Sequence, residues 1–174
     1  MSGLNLVLAD IKYKNEYLKF ISECRDDIKK TGFDSVIPLS SEATVEADIK
    51  RLNDYHAGKN LPQGWVPAST YWLLESNSRI IGTVIIRHRL NKSLEHRGGH
   101  ISYYIRPSER GKGYGAKMLS LALDRCRDLG IEKVLITCKK DNLPSRKVIE
   151  KNGGVLFSEG IDGFDTIQRY WIYL

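Results

Sequence analysis

The stretch RPSERGKGYGAKML, residues 106–119, decides the fold, because it places three glycines in five positions directly before an amphipathic run. Glycine loses more backbone freedom on folding than any other residue, so such a cluster is costly inside a helix or a strand. The preceding GHISYYIRP (99–107) predicts a strand that Pro107 closes. The following YGAKMLSLALDRCRDLG (114–130) predicts a helix that Gly130 ends. The glycines therefore lie in a strand-to-helix turn.

This turn has the properties of an anion site. A helix N-terminus leaves four backbone N–H groups without intrahelical partners and carries partial positive charge. Glycine leaves those groups accessible and permits the backbone angles that direct several of them at one anion. Arg110 and Lys112 add charge to the same turn. The stretch predicts a binding site for phosphate oxygens; the alternative is that the glycines only make a tight turn.

The spacing differs from two well-known phosphate-binding patterns. A P-loop needs a lysine followed by Ser or Thr, whereas Lys112 is followed by Gly113. The dinucleotide fingerprint is GxGxxG, whereas this chain has GxGxG. The sequence therefore favours neither a nucleotide triphosphatase nor a dinucleotide-binding domain.

The remaining pattern predicts one α/β domain over residues 1–174. Strand 99–107, its helix and the apolar strand 133–138 form a crossover unit, so these two strands are expected to be a central parallel pair. The other expected elements are a strand at 4–9, a helix at 15–30, a helix that starts near Ser40 or Ser41 and ends before Gly58, strands 70–76 and 79–90 around the turn Asn77-Ser78, a helix at 143–154, and final strands at 155–161 and 166–174.

Composition narrows the class of protein. The chain of 174 residues has a net charge of +6, but its basic residues alternate with acids, so a nucleic-acid partner is not expected. No apolar run reaches the roughly 18–20 residues of a membrane span, and the N-terminus does not resemble a secretory signal. Cys24, Cys126 and Cys138 form no CxxC pair, which favours reduced thiols, a cytoplasmic location and no metal site.

Two motifs together resemble the GNAT superfamily of acetyl-CoA-dependent N-acetyltransferases. Its signature (Arg/Gln)-x-x-Gly-x-(Gly/Ala) is matched by Arg110, Gly113 and Gly115. Its later Asn-x-x-(Ala/Ser) helix is matched by Asn142 and Ser145. The resemblance covers most of the chain. It implies a mixed, mostly antiparallel sheet of six to seven strands with about four helices.

The resemblance also implies how acetyl-CoA, the co-substrate, would bind. The pantetheine arm would pair with the signature strand at Ile105, and the pyrophosphate would lie on the turn formed by Arg110, Gly111, Lys112, Gly113, Tyr114 and Gly115. Asn142 and Ser145 would contact the cofactor arm. Asn142 alone also suits the N-cap of the helix that follows it.

The expected reaction is direct attack of a primary amine of a small molecule or peptide on the thioester. Many relatives carry a tyrosine as the proton donor where this chain has Ile149, so Tyr104, Tyr103 and Tyr114 are the remaining candidates. His100 is a candidate base, or else a structurally bonded histidine; Glu75 is a second candidate, or else an exposed carboxylate. The departure at Ile149 motivates the alternative of an acetyl-CoA-binding regulatory module with little catalysis.

The acceptor pocket is expected from three irregular segments, 31–41, 60–69 and 91–99. Trp65, Trp72 and Tyr71 could form an aromatic wall in it, although core packing is the commoner use of such residues. The final strand TIQRYWIYL, interpreted as an apolar edge strand that must be covered, predicts a homodimer.

Overall fold

The computed structural model describes residues 3–76 and 78–174, so Asn77 of the expected turn lies outside the described residues. These residues form a mixed α/β fold with seven strands and five α-helices. The strands are β1 (Leu4–Leu8), β2 (Ala68–Glu75), β3 (Arg79–Arg87), β4 (Ile101–Ile105), β5 (Lys133–Lys139), β6 (Val155–Asp162) and β7 (Asp165–Tyr173). The helices are α1 (Lys14–Thr31), α2 (Val45–His56), α3 (Lys92–His96), α4 (Tyr114–Asp128) and α5 (Leu143–Lys151).

The strands form two antiparallel sheets, in the orders β1-β2-β3-β4 and β5-β7-β6. The sheets meet where β4 begins. There the His100 N–H donates to the Leu135 carbonyl at 2.7 Å, and the Leu135 N–H donates to His100 Nδ1 at 2.9 Å. Beyond this junction, β4 and β5 belong to separate sheets. The expected parallel pair is therefore joined at one end and open at the other.

Gly99 makes this junction possible. Its φ of +62° lies in the left-handed region, and a Cβ at this position would be 2.4 Å from the Leu135 carbonyl oxygen. Any side chain would force the two strands apart at the point where they exchange hydrogen bonds.

Two apolar clusters hold the helices on opposite faces of the first sheet. Helices α1 and α2 pack on one face around the fully buried Trp72. Helix α4 packs on the other face, with β5, β7 and Ile149 of α5. Tyr104 belongs to the first face, whereas Tyr103 packs against the second. Successive residues of β4 thus point into different environments, as the period of two in a strand requires.

Several elements differ from the sequence-based expectation. Helix α2 begins at Val45, because a turn over residues 41–44 precedes it, with the Ser41 N–H donating to Thr44 Oγ1. The short helix α3 raises the number of helices to five. The interpretation of the final strand as an edge was wrong: β7 lies between β5 and β6 and pairs with both. No described helix has the length and apolar character needed to cross a membrane.

Candidate active site

The open end of the β4–β5 junction exposes main-chain groups of the signature strand. The Arg106 N–H donates to the Ile81 carbonyl, so the main chain of Arg106 faces β3. Main-chain direction alternates along a strand, and the registered pairs of β4 with β3 continue this pattern. The N–H and C=O groups of Tyr103 and Ile105 therefore face away from β3, into the gap between the sheets. Such a gap can accept an extended ligand as an additional strand.

The glycine turn lies at the end of this gap. Gly111 and Gly113 have φ values of +78° and +85°, and a Cβ on Gly111 would meet nothing within 4 Å. Gly113 is the N-cap of α4 and makes no side-chain capping bond. The first-turn N–H groups of α4 have no intrahelical partners and carry the positive end of the helix dipole. The turn thus offers an accessible set of backbone donors to an anion.

The charged side chains of the turn have protein partners. Arg110 binds Asp27 of α1 through both terminal nitrogens, at 3.2 and 2.5 Å, and its Nε donates to the Ile105 carbonyl at 3.1 Å. This ion pair holds the pKa of Asp27 below its ordinary value. The guanidinium also lies 5.2 Å from the ring centroid of Tyr104. Lys112 Nζ is 2.9 Å from a Glu109 carboxylate oxygen.

The second motif places a pair of hydroxyl groups beside β4. Asn142 Oδ1 accepts from the Ser145 N–H at 3.2 Å, so Asn142 caps α5. The Ser145 hydroxyl lies 2.8 Å from the Tyr103 hydroxyl. Burial raises the pKa of Tyr103 to about 12 and that of the neighbouring Cys138 thiol to about 11. Tyr103 and Cys138 are therefore both protonated at neutral pH.

Three of the residues that the sequence nominated for acid–base roles, His100, Tyr104 and Glu75, already have other partners. His100 is buried and accepts a backbone hydrogen bond at Nδ1; burial, with the nearby charge of Arg87, lowers its pKa to about 4. Tyr104 donates to Asp27 at 2.7 Å, and burial raises the pKa of Tyr104 far above its ordinary value. Glu75 accepts from the Tyr114 hydroxyl at 2.6 Å.

A cavity of about 550 Å³ lies on the α1–α2 side of the first sheet. The three irregular segments expected to form the acceptor pocket all contribute to it, together with α2, β2 and β3. Its lining includes Asp34, Val36, Pro38, Arg51, Leu52, Tyr55, Trp65, Val66, Thr70, Ile85, Arg87, Asn91 and Leu94. Neither His100, Tyr104 nor Glu75 is among the described residues that line it.

One of the three aromatic candidates borders the cavity. Trp65 is half exposed at the cavity and lies 5.6 Å from the Tyr55 ring. Trp72 is fully buried and stacks on Tyr17 at 4.7 Å, and Tyr71 packs against the core on the opposite face. Trp72 and Tyr71 thus serve the core, the alternative that the sequence left open.

Two functional candidates were missed by the sequence analysis. Asp27, which holds Arg110, is one of several exposed charges on α1, and its partner is 83 residues away. Arg87, which lines the cavity, ends the apolar strand RIIGTVIIR, and a charge at a strand end is a weak signal. Within residues 3–76 and 78–174, no group of three or more His, Cys, Asp or Glu side chains is placed to hold a metal ion.

Comparison with known families and solved structures identifies the same family that the two sequence motifs resemble. The acetyltransferase (GNAT) family model matches residues 37–154, more than half of the chain. No curated protein sequence matches this chain significantly.

Similar solved structures cover nearly the whole chain. One is a ribosomal L7/L12 alpha-N-protein acetyltransferase in complex with coenzyme A (16% identity, TM-score 0.73, covering 100% of this chain and 96% of that one). Another is a microcin C7 self-immunity acetyltransferase in complex with acetyl-CoA and AMP (16% identity, TM-score 0.70, covering 100% of this chain and 94% of that one). A third is a spermidine N-acetyltransferase chimera from Vibrio cholerae and hSSAT (17% identity, TM-score 0.65, covering 99% of this chain and 96% of that one). At these identities the likeness establishes the fold.

Proposed function

Because this chain belongs to the acetyltransferase (GNAT) family, we propose that it transfers an acetyl group from acetyl-CoA to the primary amine of a small molecule or peptide. The observation that supports this most is the arrangement along β4. The main-chain groups of Tyr103 and Ile105 face the gap between the sheets, a glycine turn lies at the end of the strand, and a cavity lies on one face of its sheet. In this proposal the glycine turn would bind the diphosphate of acetyl-CoA, the main chain of β4 would bind its extended arm, and the cavity would bind the acceptor.

The residues present fit the cofactor. The left-handed Gly111 and Gly113 leave the N-terminus of α4 uncovered, so backbone N–H groups would bind the pyrophosphate. Tyr103 and Ile105 would pair with the pantetheine arm through their main chain. Arg110 contacts Asp27 and the Ile105 carbonyl, so its contact with phosphate requires those bonds to exchange. We therefore assign most of the phosphate binding to the backbone.

We assign the proton for the departing thiol to the Tyr103–Ser145 pair. Ile149, at the position where many relatives have tyrosine, is fully buried in the core and has no proton to donate. Ser145 lies one helical turn earlier on α5, and its contact with Tyr103 at 2.8 Å links α5 to β4. Tyr103 carries its proton at neutral pH, the form that a general acid must have, although burial makes it a weaker acid than an ordinary tyrosine.

The other candidates for acid–base roles, His100, Tyr104 and Glu75, support the site indirectly in this proposal. His100 joins the two sheets, Tyr104 and Asp27 position Arg110, and Glu75 holds Tyr114 at the start of α4. None of them lines the cavity in the described part of the chain, so none is assigned direct contact with the amine.

The test is to incubate the protein with acetyl-CoA and a panel of primary amines and to measure release of free thiol. We expect turnover with at least one amine. Tyr103→Phe should lower kcat by about 100-fold or more, because general acid catalysis contributes on the order of 10²–10⁴, while the Kd for coenzyme A stays unchanged. Tyr173→Phe, which alters an exposed tyrosine on β7, is the matched control.

Two results would contradict this assignment in different ways. Failure to bind coenzyme A would reject the proposed function as a whole. Tight binding of acetyl-CoA without turnover on any amine would favour the regulatory module.

We also propose that two copies associate through β6. This strand is the outer edge of the second sheet, and its Val155, Leu156 and Phe157 side chains are exposed. An uncovered apolar edge strand favours pairing with another strand.

A further inference from the structure

We propose that the acceptor is an amine that also carries an oxyanion, bound by Arg87, on a largely apolar body. This inference rests on the proposed function, because it names the class of amine that enters the cavity. A free α-amino acid with an apolar side chain is the simplest molecule of this class.

The Arg87 guanidinium is fixed in place with part of its donor set unused. Its Nη1 donates to the carbonyls of Gly98 and Gly99 at 3.3 and 3.2 Å and to Ser102 Oγ at 3.1 Å. In the described structure, Nε and Nη2 have no hydrogen-bond partner, yet neither is among the polar atoms that are sealed from solvent without one. Arg87 is a lining residue of the cavity, and in this proposal Nε and Nη2 are the donors that a ligand there would use.

The charge of Arg87 is not balanced by the protein. Of the two arginines that line the cavity, Arg51 pairs with Asp48 at 2.8 Å. Arg87 forms no ion pair with any described carboxylate, and burial lowers its pKa. A partly buried cation without a counter-charge is unfavourable. An oxyanion on the ligand would supply that charge and match the geometry of the guanidinium fork.

The position of Arg87 suits transfer to an amine close to the oxyanion. Nη1 is 3.1 Å from Ser102 on β4, and the main chain of the next residue, Tyr103, faces the gap between the sheets. An oxyanion bound at Arg87 therefore places an amine on the adjacent carbon next to the strand where the acyl group is expected.

The rest of the cavity is suited to an apolar body. Leu52, Val66 and Ile85 contribute to its walls, and Trp65 adds a half-exposed aromatic ring. A volume of about 550 Å³ lies within the range that holds small molecules. Arg87 would repel the additional positive charges of a polyamine, whereas Asp34, which also lines the cavity, would attract them, so spermidine is included as a test acceptor.

The first experiment compares acceptors on the unaltered protein. The probes are L-phenylalanine, its phosphonate analogue, phenylalanine amide and spermidine, with kcat/KM measured for each by thiol release. We expect the two anionic amines to exceed the amide by about 10- to 100-fold, the range expected for a charge-assisted contact. The carboxylate-to-phosphonate ratio identifies which oxyanion fits. A preference for phenylalanine amide or spermidine would overturn the inference and leave acetyl transfer intact.

The second experiment locates the effect at Arg87. Arg87→Gln should reduce kcat/KM for L-phenylalanine by about 10- to 100-fold and leave that for the amide within about threefold. Arg87→Lys keeps the charge but loses the forked guanidinium. Its kcat/KM for L-phenylalanine should lie between those of the unaltered protein and Arg87→Gln. The matched control is Arg89→Gln, since Arg89 is exposed and does not line the cavity. Equal losses for both acceptors would mean that Arg87 only supports the loop at Gly98 and Gly99.

Calorimetric titration of L-phenylalanine into the protein saturated with coenzyme A separates this inference from the proposed function. Binding that is lost in Arg87→Gln and kept in Arg89→Gln supports the anion site, even without turnover. Binding that Arg87→Gln leaves unchanged overturns it. A thermal melt of each variant verifies folding; if Arg87→Gln does not fold, Arg87→Lys and the acceptor comparison on the unaltered protein decide.

Discussion

At the scale of single residues, His100 is a neutral ring used as a hydrogen-bond acceptor. Nδ1 accepts from the Leu135 N–H, so the ring proton resides on Nε2. Protonation at Nδ1 would remove that bond and place a buried charge near Arg87. The position therefore favours the neutral form, which explains the direction of its pKa shift.

This shift predicts a specific pH dependence of stability. The pKa of His100 falls from 6.5 to about 4 on folding, so the unfolded chain binds a proton between these values and the folded chain does not. The stabilisation is complete above about pH 6.5 and is lost as the pH falls towards 4, by a total of about 3 kcal/mol. His100→Asn keeps an acceptor near the Nδ1 position and should remove this part of the slope in urea unfolding.

The matched control is His96→Asn, because His96 is exposed on α3. It should retain the slope of the unaltered protein between pH 4 and 6.5. If stability depends on pH with the same slope in His100→Asn and His96→Asn, the buried neutral ring of His100 is not the source of that slope.

The residue scale also shows what local sequence can predict. The turn at Gly111 and Gly113 was predictable, because a left-handed backbone is a local property that glycine reveals. The role of His100 depends on Leu135, 35 residues further on, and that of Asp27 on Arg110. Such partners become neighbours only when the sheets and helices assemble, so the sequence could name His100 but could not choose between its two roles.

At the scale of secondary-structure elements, the contact between β4 and β5 depends on Gly99. We predict that Gly99→Ala lowers the free energy of unfolding by about 3 kcal/mol or more, since it combines a left-handed φ with a clash against a backbone carbonyl. Gly130→Ala is the control, because Gly130 has a φ of +73° but nothing within 4 Å of an added Cβ. Its loss should be about 1–2 kcal/mol.

Urea unfolding of the two variants measures this difference directly. Equal losses would mean that the clash at Leu135 is relieved by a small backbone shift and that the junction tolerates a side chain. A larger loss in Gly99→Ala would attribute the excess to the contact between the two strands.

The elements themselves were predictable to different degrees. Helices α1 and α4 have buried residues at helical spacing, so their positions followed from the period of apolar residues. Helix α3 has only five residues and none of them buried, which leaves no periodic signal. Strand β7 was misinterpreted as an edge, because strand order is a long-range property and the apolar character of β7 reflects two flanking partners.

At the scale of the whole molecule, the exposed edge at β6 leads to a prediction about assembly. Light scattering at micromolar concentration should give twice the monomer mass of 19.8 kDa. Phe157→Lys should shift the mass to the monomer, because a lysine on an edge strand opposes pairing. Phe164→Lys at the tip of the same hairpin is the control and should remain dimeric, since Phe164 is outside β6.

A monomeric mass for the unaltered protein would contradict this proposal. Dissociation of both lysine variants would place the interface at the hairpin tip.

The way in which the two sheets meet has a consequence for how the molecule receives a long, thin ligand. The described strands β4 and β5 are fastened at His100 and Leu135 and diverge from there. A flexible arm that entered the opening would meet main-chain groups of β4 without displacing a neighbouring strand, and among the described residues only the bond from Arg110 to the Ile105 carbonyl is already made there. The gap between β4 and β5 is thus already present in the protein without a ligand, and a long, thin ligand would enter it without separating paired strands.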